Sequence, residues 1–162
     1  MVIIRGPVRV YYDDVNLGLC SGDVELVDEP QFVEAKVTEY GESIYNEMQN
    51  GMTMTVTVPF TELSNTALVK LGGVLDGSDV VFSSNVGTLT RSLAKELVLI
   101  PVIDQTESAD TKTFTTIYSA YPKRKFNTTY GPSQRIQNIE FQSYPSLESG
   151  LEGRHYKVGE NA

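Results

Sequence analysis

Residues 52–63 read MTMTVTVPFTEL, and this stretch alternates between apolar and polar side chains up to residue 58. An extended chain places one set of its side chains on one side (Met52, Met54, Val56, Val58) and three threonines on the other (Thr53, Thr55, Thr57). A period of two is typical of an antiparallel strand with one buried and one solvated face. The stretch therefore predicts a half-buried strand.

A second alternating stretch precedes this strand. Residues 32–38 carry apolar side chains at Val33, Ala35 and Val37, which predicts another half-buried strand. Between the two lies YGESIYNEMQNG (40–51), bounded by a glycine at one end and an Asn-Gly pair at the other, both of which are turn signals. We expect a long hairpin arm with a structured tip at about residues 40–51.

The sequence after the strand predicts a helix. Pro59 is expected to end the strand, and Thr61 can cap a helix that has Glu62 in its first turn. Apolar residues then recur at helical spacing (Leu63, Ala67, Leu68, Leu71, Val74, Leu75). Gly72-Gly73 weakens the far end of this helix, and Asp76-Gly77 is expected to end it.

The remaining apolar segments read as strands. They lie within residues 3–12, 97–103, 113–121, 135–144 and 155–158, with loops expected at Pro122–Lys125 and around Tyr130. The run 97–103 is continuously apolar, which predicts a strand that is buried on both faces or lies at the centre of the core, and Pro101 within it indicates a bulge or an edge. In 135–144, Ile139 and Phe141 share one face. The sequence predicts one mostly β domain over 1–162, an antiparallel β-sandwich or partly rolled barrel with one flanking α-helix.

Composition and charge limit the classes of function that this chain can have. The chain has 162 residues and a net charge of −8, and residues 23–62 alone carry nine acids and one base. Residues 112–162 are mildly basic, so the chain has either two solvated faces of opposite sign or two ends that attract other copies. The acidic balance argues against general attraction to DNA or anionic lipid. We expect no signal peptide, no membrane span and a reducing compartment.

The residues that could carry chemistry are sparse. His155 is the only histidine and Cys20 the only cysteine, which excludes sites that need two imidazoles and Cys-based zinc clusters. No phosphate-binding glycine loop or calcium loop occurs. We interpret His155 as a surface or inter-subunit contact, Cys20 as a packed thiol, and Lys123-Arg124-Lys125 as a solvated loop. The sequence predicts no enzyme, no cofactor and no metal.

The order of segments resembles the major tail protein family of tailed bacteriophages, the subunits of the tail tube. The segments that carry this resemblance are VEAKVTEYG (33–41), a loop that ends in Asn-Gly, MTMTVTVPFTEL (52–63) leading to a helix, IEFQSYPS (139–146) and HYKVGE (155–160). The resemblance implies a structural virion protein that forms stacked, hexameric rings, with strands pairing between subunits. It places the protein in the virion tail, assembled in the host cytoplasm.

The resemblance also implies two groups of site residues. One lines the lumen through which DNA passes without sequence-specific binding (Glu34, Thr38, Thr53, Thr55, Thr57, Glu140, Gln142). The other belongs to an arm that stacks rings (Tyr40, Glu42, Ile44, Tyr45, Glu47, Met48). Lys36 fits a lumen only if Glu34 or an acid of another subunit neutralises it. Ordinary core packing for the arm, and an outer solvated face for the lumen set, remain alternatives.

The resemblance implies several partners. They are other copies of the chain and the tape measure, tail terminator and distal tail proteins, without a membrane. Two other functions remain open. The chain could be a distal tail or terminator protein, which forms a single ring, or a monomeric β-sandwich binding module. A carbohydrate-binding module is expected to cluster exposed aromatic side chains on one face, whereas the tyrosines here are scattered along the sequence and tryptophan is missing.

Overall fold

A single 19-residue strand, Ile44–Glu62, organises the sheet. The computed structural model describes residues 7–20, 22–84, 86–126, 132 and 136–159. The strands in chain order are β1 (Val8–Tyr12), β2 (Val15–Asn16), β3 (Leu19–Cys20), β4 (Glu25–Lys36), β5 (Ile44–Glu62), β6 (Val74–Asp76), β7 (Asp79–Val81), β8 (Lys95–Ile103), β9 (Thr106–Glu107), β10 (Thr115–Lys123), β11 (Gln137–Ser143) and β12 (Tyr156–Val158). Two short helices, α1 (Asn65–Lys70) and α2 (Thr90–Leu93), and two 3-10 turns, Thr38–Tyr40 and Thr111–Thr113, complete the described elements.

The main sheet is antiparallel and runs in the order β2-β1-β8-β10-β11-β5-β3. Three further strands pair outside this path: β4 with β5, β12 with β10, and β9 with β8. The sheet curls strongly, because Tyr12 on β1 meets Phe141 on β11 with ring centroids 5.4 Å apart although two strands lie between them. The Tyr12 hydroxyl also donates to the Ala120 carbonyl at 2.9 Å. The mostly β, antiparallel class is confirmed.

The concave face of this sheet holds the core. Met54, Val56 and Val58 are buried, as their alternation predicts, and so are Ile139 and Phe141. The run 97–103 does not have two buried faces, since its burial alternates residue by residue. On one edge of β8, β10 pairs as far as Leu99 and β9 pairs from Val102, and Pro101 lies in the gap between these two pairings. This gap agrees with the bulge or edge that the sequence predicts at Pro101.

The predicted helix is shorter than expected and starts later. β5 continues through Pro59 and Thr61, and Ser64 caps α1 by accepting a hydrogen bond from the Ala67 amide at 3.2 Å. Along one edge of β5, β3 pairs as far as Phe60 and β4 pairs from Thr57. Pro59 is tolerated because it lies in the gap between these two pairings. The helix ends before Gly72, which has a φ of 108°.

Other boundaries also differ from the sequence predictions. Val74 and Leu75 form the exposed strand β6, which pairs with β7. Pro122 and Lys123 extend β10 instead of forming a loop. The start of the strand predicted at 3–12 and the loop at Tyr130 lie outside the described residues. The strand predicted at 155–158 is present as β12.

Two hairpins use turns that the sequence does not signal. Asp13-Asp14 joins β1 to β2, and Asp104-Gln105 joins β8 to β9. All four residues have φ between 50° and 64°, the left-handed pair of conformations that a two-residue type I′ turn requires. By contrast, the predicted Asn50-Gly51 turn lies inside β5.

We expect replacement of Gln105 by glycine to stabilise the protein. Gln105 has a φ of 64° and is exposed, so glycine removes the cost of a Cβ in the left-handed region. The free energy of unfolding should rise by about 1 kcal/mol, measured by urea denaturation. The matched control Gln105→Ala keeps the Cβ and should give no gain. Equal stability of the two variants would contradict this explanation.

Candidate assembly surface

The β4–β5 hairpin projects from the sheet as an arm longer than the sequence predicts. From Phe32 to Gln49 the residues are exposed on both faces of the hairpin, except Val37, which is half-buried. The prediction of a half-buried strand at 32–38 is therefore wrong. The arm, defined here as residues 31–51, exposes several large hydrophobic side chains, with Tyr45 at 65% and Met48 at 67% (Phe32, Val33, Tyr40, Ile44, Tyr45, Met48). The alternative of core packing for the arm residues does not hold within this chain.

Two bulges on β5 set the arm's register. Gln31 pairs with Gly51 but Phe32 pairs with Gln49, so Asn50 is an extra residue, and Tyr45 is extra in the same way near the tip. Beyond the Asn50 bulge the two faces differ in chemistry. One face is uncharged, with Val33 opposite Met48 and Ala35 opposite Asn46, and the other carries Glu34 opposite Glu47 and Lys36 opposite Ile44.

The tip is a short ordered turn. The 3-10 turn Thr38–Tyr40 is followed by Gly41 with a φ of 66°, which confirms the predicted turn at that glycine. The rings of Tyr40 and Tyr45 stack with centroids 5.9 Å apart and planes within 4°. Lys36 Nζ lies 3.4 Å from Glu42 Oε2 and 4.0 Å from Glu34 Oε2. Both acids therefore offset the charge of Lys36.

A few polar contacts hold the root of the arm. The Tyr156 hydroxyl on β12 donates to Asp28 Oδ2 on β4 at 3.0 Å, and Gln31 Nε2 donates to Thr53 Oγ1 at 3.3 Å. Gln142 Nε2 on β11 donates to the Met54 carbonyl at 3.3 Å. The arm therefore leaves the body from a fixed root and is supported beyond it only by its own two strands among the described residues.

The register gathers five of the predicted lumen residues on one face. Thr57 pairs with Glu140 and Thr55 with Gln142, so these side chains lie beside one another on the face opposite the core, in line with Thr53. We call this surface the threonine face. Across β4 it continues with residues that the sequence analysis missed: Glu25 opposite Thr57, Val27 opposite Thr55 and Glu29 opposite Thr53.

Two predicted lumen residues lie elsewhere. Glu34 is five positions beyond Glu29 on the continuous strand β4, so alternation places it on the other face, opposite Glu47. Thr38 belongs to the tip turn. Direct pairing of the predicted strands 32–38 and 52–58 would bring Glu34 and Thr38 beside the threonines, whereas the register sets residues 25–30 there.

His155 joins two collinear strands. Its Nδ1 lies 3.1 Å from Ser143 Oγ, which links the end of β11 to the start of β12. The ring lines a groove of about 590 Å³ between residues 49–52 of β5 and residues 153–156. Ser143 is buried, so its hydroxyl is not presented to the groove as a nucleophile. Partial burial lowers the pKa of His155 below its ordinary value of 6.5.

The other candidate groups take structural roles. Burial raises the pKa of the Cys20 thiol to about 11, so it is a poor nucleophile. Arg124 donates to the Leu71 carbonyl at 3.2 Å and lies 4.7 Å from the centroid of the Phe82 ring, which ties the basic triplet to the body. The described residues contain no cluster of potential metal ligands. None of their helices is long and apolar enough to cross a membrane.

A second apolar surface was not predicted. Leu89, Leu93 and Leu147 are exposed around α2 and the segment that follows Tyr144. Leu89 and Leu147 also line a groove of about 380 Å³. The two sides of this groove are some fifty residues apart in sequence. No local pattern in either segment signals it.

Comparison of the chain with protein-family models finds no matching family, and comparison with curated proteins finds no match.

We expect stability to fall between neutral pH and pH 5 because of His155. Its pKa is lower in the folded than in the unfolded chain, so the unfolded chain binds more protons in this interval and protonation favours unfolding. The loss should begin near the unfolded pKa and level off below the folded one. Urea denaturation from pH 7.5 to 5 measures it. His155→Gln should flatten the dependence, and an unchanged slope in that variant would contradict the assignment.

Proposed function

We propose that this chain is a structural subunit of a bacteriophage tail tube, which polymerises as stacked rings around a channel for DNA. The observation that carries the proposal is the arm, which exposes large hydrophobic side chains on both of its faces. A two-stranded hairpin is marginally stable in water unless something packs against it. Exposed apolar patches of this kind mark interaction sites.

Open strand edges support the same proposal. Within the described residues β4 pairs only with β5, which leaves one edge of a 12-residue strand free. A long free edge is a template for pairing with another chain, and closure into a ring consumes it. Glu25, Asp28, Glu29 and Pro30 interrupt this edge, which limits indiscriminate pairing of the isolated subunit.

The threonine face suits a channel wall. It presents hydroxyl groups together with Glu25, Glu29 and Glu140, and Lys123 stands opposite Glu140. Double-stranded DNA carries about one negative charge per 1.7 Å of its axis, so a wall with an excess of acids does not bind it tightly. We therefore assign the threonine face, without Glu34 and Thr38, to the lumen.

Shortening the arm should abolish polymerisation without unfolding the subunit. Phe32 and Gln49 are register partners, so residues 33–48 can be replaced by an Asn-Gly turn that closes a shorter hairpin. Because the removed part is almost wholly exposed, we expect the stability to change little. Negative-stain electron microscopy of the concentrated protein should show hollow filaments or stacked rings for the native chain and dispersed subunits for the shortened one.

A matched control is Val74→Ser combined with Leu75→Ser, which removes exposed apolar groups outside the arm and should leave the filaments intact. Filaments of normal length from the shortened chain would contradict a role of the arm in stacking. Isolated single rings from the native chain would favour a distal tail or terminator protein. Native chain that stays monomeric at every concentration would overturn the proposal.

A positive charge on the threonine face should impede DNA passage. Thr55 lies beside Gln142 at the centre of this face, so Thr55→Lys in an assembled tail adds one cation per subunit to the wall. We expect tubes to assemble and DNA ejection, followed by dye fluorescence, to slow at least tenfold. Thr55→Val, which keeps the side-chain shape without the charge, is the control. Normal ejection with the lysine in place would remove this face from the lumen.

A further inference from the structure

The groove beside α2 is a preformed pocket with fixed walls. Thr90 Oγ1 and the Tyr144 hydroxyl lie 2.7 Å apart, and Arg91 Nη2 donates to the Pro145 carbonyl. These two hydrogen bonds fasten α2 to the segment 144–147 and keep the groove open between them. Its volume of about 380 Å³ suits one or two large side chains.

The lining of the groove is mainly apolar and lacks a cover. Leu89 and Leu147 form its rim and are 77% and 76% exposed. Ser92, Ser119 and Pro145 complete the lining with Arg91. Two leucines held this far open to water around a shaped pocket would gain free energy from any apolar side chain that entered it.

The charge of the groove selects its occupant. Arg91 is the one charged residue in the described lining, and its guanidinium has donors beyond the one used by Pro145. The tip of the arm is complementary, because it presents the stacked Tyr40 and Tyr45 rings next to Glu39 and Glu42, two acids beside the single base Lys36. Aromatic anchors facing an arginine are the side chains that dominate binding energy at protein interfaces.

We propose that the arm tip of one copy docks in the α2 groove of a second copy, with Tyr45 between Leu89 and Leu147 and the tip carboxylates facing Arg91. This inference rests on the proposed function, because it names the acceptor surface for the arm. Tip and groove are different surfaces of the same chain, so the contact is head-to-tail and extends from copy to copy.

Disulfide trapping between two singly substituted chains tests the contact. Tyr45→Cys is made in one chain and Leu147→Cys in another that carries a mass tag, both in a Cys20→Ala background. Mild oxidation of the mixture should yield the mixed-mass dimer as the main product. The control pairs Tyr45→Cys with Val74→Cys, which lies on an equally exposed apolar strand outside the groove and should give at least tenfold less dimer.

Arg91→Glu supplies an independent readout of the charge contact. Added to the Leu147→Cys chain, it should lower the yield of mixed dimer about tenfold, and Glu42→Arg in the Tyr45→Cys chain should restore part of it. Arg91 is exposed, so the substitution should leave the fold intact, and circular dichroism of each variant verifies this. Arg91→Glu also removes the hydrogen bond to the Pro145 carbonyl, and recovery of the yield by Glu42→Arg distinguishes the charge contact from that loss.

The possible outcomes distinguish failure of the docking proposal from failure of the tube proposal. Filaments with trapping at Val74 instead of Leu147, or trapping at neither position, would overturn the groove as acceptor and leave the tube proposal standing. A yield unaffected by Arg91→Glu would overturn the role given to Arg91. Absence of filaments from the native chain, together with absence of cross-linking between the substituted chains at any concentration, would overturn both proposals.

Discussion

The strand β5 must keep Met54, Val56 and Val58 inside, and the rest of the architecture depends on this one constraint. A slip of one residue would turn its threonines into the core and its apolar side chains into water, so its register is strongly fixed. β3, β4 and β11 all take their positions from pairing with it. The same strand continues beyond the core as one of the two strands of the arm. The register that the core fixes therefore also determines which side chains lie on each face of the arm.

Local patterns predicted the parts of the fold that local physics decides. The alternation at 52–58 and the shared face of Ile139 and Phe141 follow from a single buried side of an antiparallel strand. The hairpins at Asp13-Asp14 and Asp104-Gln105 could not be predicted, because favourable pairing of the flanking strands outweighs the cost of the left-handed residues. The helical spacing that extended through Val74 and Leu75 was coincidental, since glycine had already ended the helix.

The candidate site depended more on tertiary register than on local pattern. Thr55 and Thr57 were identifiable from their strand, but Glu25 and Glu29 came beside them only through the pairing of β4 with β5. Residues 32–38 have the alternation of a half-buried strand, and nothing in that pattern reveals that the described part of the chain leaves both faces exposed. The α2 groove joins segments remote in sequence, so its shape exists only in the folded chain.

The bulge at Asn50 has a consequence for how such a chain can tolerate insertions and deletions. Because Asn50 is the extra residue, odd-numbered β5 side chains lie on the threonine face below it, whereas Met48 and Asn46 lie on that side above it. Deletion of Asn50 would leave a regular ladder with Phe32 still opposite Gln49, whereas keeping Asn50 without the bulge would invert the outer half of β5 while β4 stayed as it is. Glu47 would then stand on the side of Val33, and Met48 on the side of Glu34. The separation of a charged from an uncharged face therefore depends on the bulge as much as on residue identity, and it tolerates the loss of Asn50 itself.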